Sequence, residues 1–87
     1  MDKHLIVGVH VTDRMTQVGE IQRVFSEYGR HIKTRLGLHH VADEVSSARG
    51  IIILELVGDE RACDAMMAKL SAIGGVEVKK MVFEHQH

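Results

Sequence analysis

The sequence predicts an α+β domain of the ferredoxin-like kind. Its order is strand, helix, strand, strand, helix, strand, with a four-stranded antiparallel sheet and both helices on one face. Three observations predict it. Residues 5–11 and 51–57 are almost wholly apolar, as central strands are. Residues 32–38 and 76–82 alternate in polarity, as edge strands do. Between these pairs lie two stretches of helical periodicity, one closed by Gly29 and the other by Gly74-Gly75.

Taken in order, Leu5, Val7, Val9 and Val11 alternate with His4, Ile6, Gly8 and His10 over a strand of about 3–12, apolar on both sides. Thr12 and Asp13 are suited to cap the helix that follows, whose stripe is Met15, Val18, Ile21, Val24, Phe25 and Tyr28. In the second strand Ile32, Thr34, Leu36 and Leu38 are expected on one side, and Lys33, Arg35 and Gly37 on the other. Residues 39–49 form a polar loop with Asp43, Glu44, Ser46 and Ser47, about as long as an unstructured connection becomes in a compact domain, and a loop of this kind is expected to be either functional or mobile. After the apolar third strand, Asp59 is a good cap for a helix with the stripe Ala62, Met66, Leu70 and Ile73. Val76, Val78 and Val82 then alternate with Glu77, Lys79 and Met81. Residues 1–84 make one domain and residues 85–87 a tail.

Composition narrows the function classes. With 87 residues there is room for one core of modest stability, which self-association would reinforce. Eleven basic against twelve acidic side chains leave a net charge of −1, so no global positive field holds a phosphate backbone, and direct nucleic-acid binding is not expected. Phe25, Tyr28 and Phe83 are too few to stack single-stranded bases. No apolar run is long enough for a membrane span. A lone Cys63 and a start unlike a signal peptide suit the cytoplasm.

Both central strands carry apolar residues toward the side without helices: Ile6 and Gly8 from the first, and either Ile51 with Ile53 or Ile52 with Leu54 from the third. Such a face is not expected to stay in water. A homodimer or homotetramer that covers it is the consequence.

Residues 11–32, VTDRMTQVGEIQRVFSEYGRHI, resemble the start of an ACT domain, a regulatory module that binds small effectors between subunits; Asp13, Arg14, Gly19, Ile21, Tyr28, Gly29 and Ile32 carry the match. The proline that usually follows the Asp-Arg pair is absent. A fuller resemblance runs through SEYG, the strand with Arg35, Leu36, Gly37 and Leu38, the apolar strand ending in Gly58-Asp59, and KLSAIGGVEVKK. These are similar to the iron-only hydrogenase system regulators, which in turn resemble the effector domain of nickel-responsive NikR regulators without its DNA-binding part. The resemblance implies a ferredoxin-like oligomer with a role in gene regulation or in supporting hydrogenase maturation, and a separate regulatory or maturation protein as partner.

Candidate sites follow from residue chemistry. Imidazoles ligate transition metals, and His39 and His40, with His10 or the partner subunit's His31, are the candidate metal ligands; solvated surface histidines are the ordinary reading. The nickel pattern is altered, because Leu38-His39-His40 replaces a His-x-His pair and Cys63 lies in the second helix rather than just before the third strand. Cys63 reads most simply as a small, partly buried helix residue. His85 and His87 fall on the tail.

A second candidate is an effector site at Asp13, Arg14 and Gly19, where a helix N-terminus attracts anions, Asp13 anchors an amine and Gly19 allows close approach. The plain alternatives are a cap, a solvated charge and a helix-packing point. Lys33 and Arg35, projecting together, are either edge-protecting charges or a small basic patch for an acidic partner. No G-x-S-x-G, H-E-x-x-H, phosphate-binding glycine loop or C-x-x-C is present, so an enzyme is not expected. The sequence thus reads as a non-catalytic regulatory domain that senses a small effector or metal at a subunit interface, or else as a protein–protein assembly module without a small ligand.

Overall fold

The computed structural model describes residues 3–12, 18–39 and 50–84. Strands β1 (Lys3–Val11), β2 (Ile32–His39), β3 (Gly50–Leu56) and β4 (Val76–Glu84) and helices α1 (Val18–Glu27) and α2 (Glu60–Ser71) follow one another as β1-α1-β2-β3-α2-β4. The sheet order is β2-β3-β1-β4, with every neighbouring pair antiparallel. The two apolar strands therefore lie in the middle, and the fold is ferredoxin-like. Glu84 belongs to β4.

One face of the sheet is covered by the helices. Leu5, Val7, Val9 and Val11 of β1 and Leu54 and Leu56 of β3 point into it, with Ile52 packed alongside. They meet Ile21, Val24 and Phe25 from α1 and Cys63, Met66, Leu70 and Ile73 from around α2. The helical stripes are largely those of the periodicity. Cys63, however, is 3 % exposed, more deeply buried than a partly covered helix residue, and desolvation pushes its thiol up from the ordinary range.

Asp59 caps α2, its carboxylate accepting from the Arg61 N–H at 2.9 Å. The Thr12 hydroxyl and its N–H both donate to the Gly75 carbonyl, at 2.8 and 2.7 Å, tying the end of β1 to the turn before β4. Asp13 lies outside the described residues.

Strand β2 departs from plain alternation. Ile32 stands opposite Leu56, yet Thr34 stands opposite Glu55, so one extra residue, Lys33, is accommodated in a bulge. Ile32 consequently packs on the core, while Thr34 and Leu36 turn to the other face. Arg35 is carried to the helix side, where its guanidinium lies 4.8 Å from the centre of the Phe25 ring. Ile32 and Thr34 do not share a side as plain alternation requires.

Candidate functional site

The face without helices is built by the residues that alternate with the core. Ile6, Gly8 and His10 of β1 stand opposite Met81, Lys79 and Glu77 of β4, and His4 stands opposite Phe83. On the other side Ile6, Gly8 and His10 stand opposite Glu55, Ile53 and Ile51 of β3, and Glu55 and Ile53 are matched in turn by Thr34 and Leu36 of β2. Of the two choices for β3, Ile51 and Ile53 are the pair presented here. Leu36, Met81 and Phe83 are 54 %, 56 % and 55 % exposed, and Ile51 is 40 % exposed. Side chains of this size and chemistry normally reach such exposure together only on a surface that meets something else.

Polar groups are set into this apolar field in two clusters of three. The Thr34 hydroxyl donates to Oε1 of Glu55 at 3.0 Å, and Nδ1 of His4 lies 3.8 Å from its Oε2. Nδ1 of His10 lies 3.5 Å from Oε1 of Glu77, whose Oε2 is 3.9 Å from the Lys79 ammonium. Gly8 leaves a shallow dent near the centre, where an added Cβ would stand 3.9 Å from Cδ1 of Ile53.

A further polar cluster lies on the helix side, at the start of α2. Glu60 receives Lys3 at 2.9 Å and Lys80 at 2.8 Å, and Lys80 also reaches Asp64 at 2.7 Å. The two ammonium groups hold the Glu60 carboxyl well below the usual carboxylate range, at about 2. Asp64 and Glu60 in turn raise the Lys80 ammonium, and Glu60 raises that of Lys3. Beside this cluster a groove of about 340 Å³ is lined by Lys3, Leu5, Gly58, Asp59, Glu60 and Arg61. Its lining sets Lys3 and Arg61 against Asp59 and Glu60, so the groove presents no net charge to an anion. This network went unforeseen because Lys80 occupies a core-side position between Val78 and Val82. The interruption of a valine row by a lysine is the sequence signal that marks it.

The predicted site residues are dispersed among these features. His10 sits on the open face against Glu77. His39 closes β2 opposite Gly50, a row also containing Val11, so the register sets it two strands away from His10 and one row along. His31 is engaged elsewhere, its Nδ1 lying 3.3 Å from the Val57 carbonyl. Gly19 lies in the first turn of α1, exposed, and among the described residues no heavy atom lies within 4 Å of an added Cβ, so none of them packs against it. Asp13, Arg14 and His40 fall outside the described residues, as do His85 and His87. Among the described residues no three His, Cys, Asp or Glu side chains converge as a metal site would require.

Comparison with known proteins places this geometry in a family. A family model for TM1266-like proteins, described as "Iron-only hydrogenase system regulator, putative", matches residues 3–80. Among solved structures, the uncharacterized protein TM1266 from Thermotoga maritima superposes with a TM-score of 0.81 at 25 % identity, covering 95 % of this chain and 100 % of that one. A formyltetrahydrofolate deformylase from Pseudomonas putida KT2440 shares the fold alone: TM-score 0.52, 13 % identity, 97 % of this chain but 30 % of that one. No curated protein matches. Alike in sequence over residues 3–80 and in fold over nearly its full length, the chain belongs to the TM1266-like family of iron-only hydrogenase system regulators.

Proposed function

We propose that this protein is a non-catalytic, cytoplasmic regulatory subunit of an iron-only hydrogenase system that works as a homo-oligomer. A second copy covers the open face of the sheet, and a small effector or a transition metal binds at the boundary between copies. The observation that carries the reading is the exposed row of Leu36, Ile51, Met81 and Phe83 in a chain from a family of regulators. The described residues contain no helix long and apolar enough to cross a membrane. With a net charge of −1, control of transcription passes through a separate DNA-reading or hydrogenase-maturation partner.

The effector candidates are Asp13, Arg14 and Gly19. The metal candidates are His39, His40 and His10. A second reading, an assembly module with no small ligand, is favoured by the pairing of His10 with Glu77 and by the register that separates it from His39.

A thermal-shift panel of transition metals and amino acids tests the sensing function. A ligand at 100 times its dissociation constant stabilises the fold by about 2.7 kcal/mol, and the shift is expected to vanish in His39→Ala/His40→Ala for a metal or in Asp13→Ala for an amine-bearing effector. No shift with any compound refutes sensing of these ligand classes and leaves the assembly module. Stoichiometric metal that survives loss of both His39 and His40 refutes those ligands.

A further inference from the structure

We propose that self-association through the open face is proton-linked, tightening as pH falls, and that Glu55 is the residue that makes it so. The inference rests on the assembly reading above and adds its regulation. Glu55 is interior to the sheet: it lies on β3, flanked in its row by Thr34 on one side and by Ile6 and Met81 on the other. Its side chain is already only 27 % exposed in the single copy.

The face is of a size that a second copy can use. Four strands about 4.8 Å apart and about eight residues long, at ~3.3 Å per residue, give a footprint on the order of 500 Å². Two copies together then bury on the order of 1,000 Å², where specific interfaces begin. The rows running through this footprint carry Ile6, Leu36, Ile51, Ile53, Met81 and Phe83, so a like face is the natural complement.

Covering the face removes water from the Glu55 carboxylate. Its near partners are the Thr34 hydroxyl, a single neutral donor, and the His4 imidazole. An ionised carboxylate in an apolar interface is costly without a countercharge. Two proton uptakes relieve that cost: on His4, creating an imidazolium beside the carboxylate, or on Glu55 itself. Both make the assembled form bind more protons than the separated copies, so both favour assembly at lower pH.

The other charged groups of the face are Glu77 and Lys79 on β4, with His10 on β1 against Glu77, while Lys33 stands in the bulge of β2. Among the described residues that the register places on this face, with imidazoles neutral, Glu55 and Glu77 stand against the ammonium of Lys79, a balance of −1. Apposing two such faces is repulsive, and one imidazolium per copy cancels the repulsion.

Sedimentation equilibrium at constant ionic strength from pH 5.5 to 8.5 tests this on wild type, Glu55→Gln and Met81→Glu, with circular dichroism confirming the fold at each pH. The wild-type association constant is expected to rise about tenfold or more between pH 8.5 and 6. Glu55→Gln, which can still accept from Thr34, should associate at pH 8.5 at least as tightly as wild type and lose the pH dependence. A wild-type dimer with a pH-independent constant, or full dependence retained in Glu55→Gln, overturns the proton linkage and leaves the assembly standing. A wild-type monomer at every pH, or assembly undiminished by Met81→Glu, overturns the assembly and the linkage with it.

Discussion

Glu60 shows how one carboxylate can organise charge on a small surface. It occupies the first position of α2, where a negative side chain complements the helix dipole, and it gathers Lys3 from β1 and Lys80 from β4 around the helix start. Its folded pKa of about 2 lies below the ordinary value of 4.5, so the folded state holds fewer protons between those limits. The contribution to stability is therefore complete above pH 4.5 and is lost as pH falls toward 2. Glu60→Gln should lower the melting temperature at pH 6, and the gap from wild type should close by pH 2. A thermal melt series across that range checks both points; a constant gap would separate Glu60 from acid stability. At this scale Asp59 as a cap was readable because capping is local. The Lys80–Glu60 pair, joining residues 20 apart, was not.

Turns and bulges decide which side chains each element presents. Gly58, between β3 and α2, has φ of +98°, and a Cβ there would lie 3.1 Å from Nδ1 of His31. Gly58→Ala should therefore cost about 1–3 kcal/mol through backbone strain and displacement of the His31 ring. Gly19 gives the opposite expectation: it is exposed in α1 and its Cβ would meet nothing, so Gly19→Ala should stabilise by about 0.4–1 kcal/mol. Urea denaturation of the two variants tests the contrast, and equal effects would contradict it. If an effector uses Gly19 for close approach, the same alanine should also abolish ligand-induced thermal shifts.

Strand β2 marks the limit of pattern reading at this level. A period of two predicts one face for Ile32 and Thr34, but the bulge at Lys33 sends them to opposite faces because Ile32 must reach the core while Thr34 reaches Glu55. Nothing local to residues 32–38 encodes that choice; the pairing with β3 imposes it.

For the whole molecule, the architecture was legible because two apolar strands and two glycine-ended helical stripes leave few ways to bury a core. Leu70, with no exposed surface, sits where helical spacing puts it, whereas the choice of Leu54 over Ile53 for the core was left open by a strand apolar on both sides and is made by the packing. The open face was legible for the same reason: Ile6 alternates with buried Leu5 and Val7 and must point the other way. The polar inlay of that face was not, since Thr34, Glu55 and His4 come from three strands and are brought together only by register. Single-copy stability and assembly are linked by this design, because a small domain that leaves Leu36, Met81 and Phe83 more than half exposed gains further burial only from a neighbour.

The most direct test of that central claim is the solution mass of the wild-type protein at neutral pH and micromolar concentration, measured by light scattering beside the Met81→Glu variant. The assembly account predicts a dimer or tetramer of the 9.7 kDa chain, reduced to the single chain by Met81→Glu. A wild-type mass of one chain would contradict it.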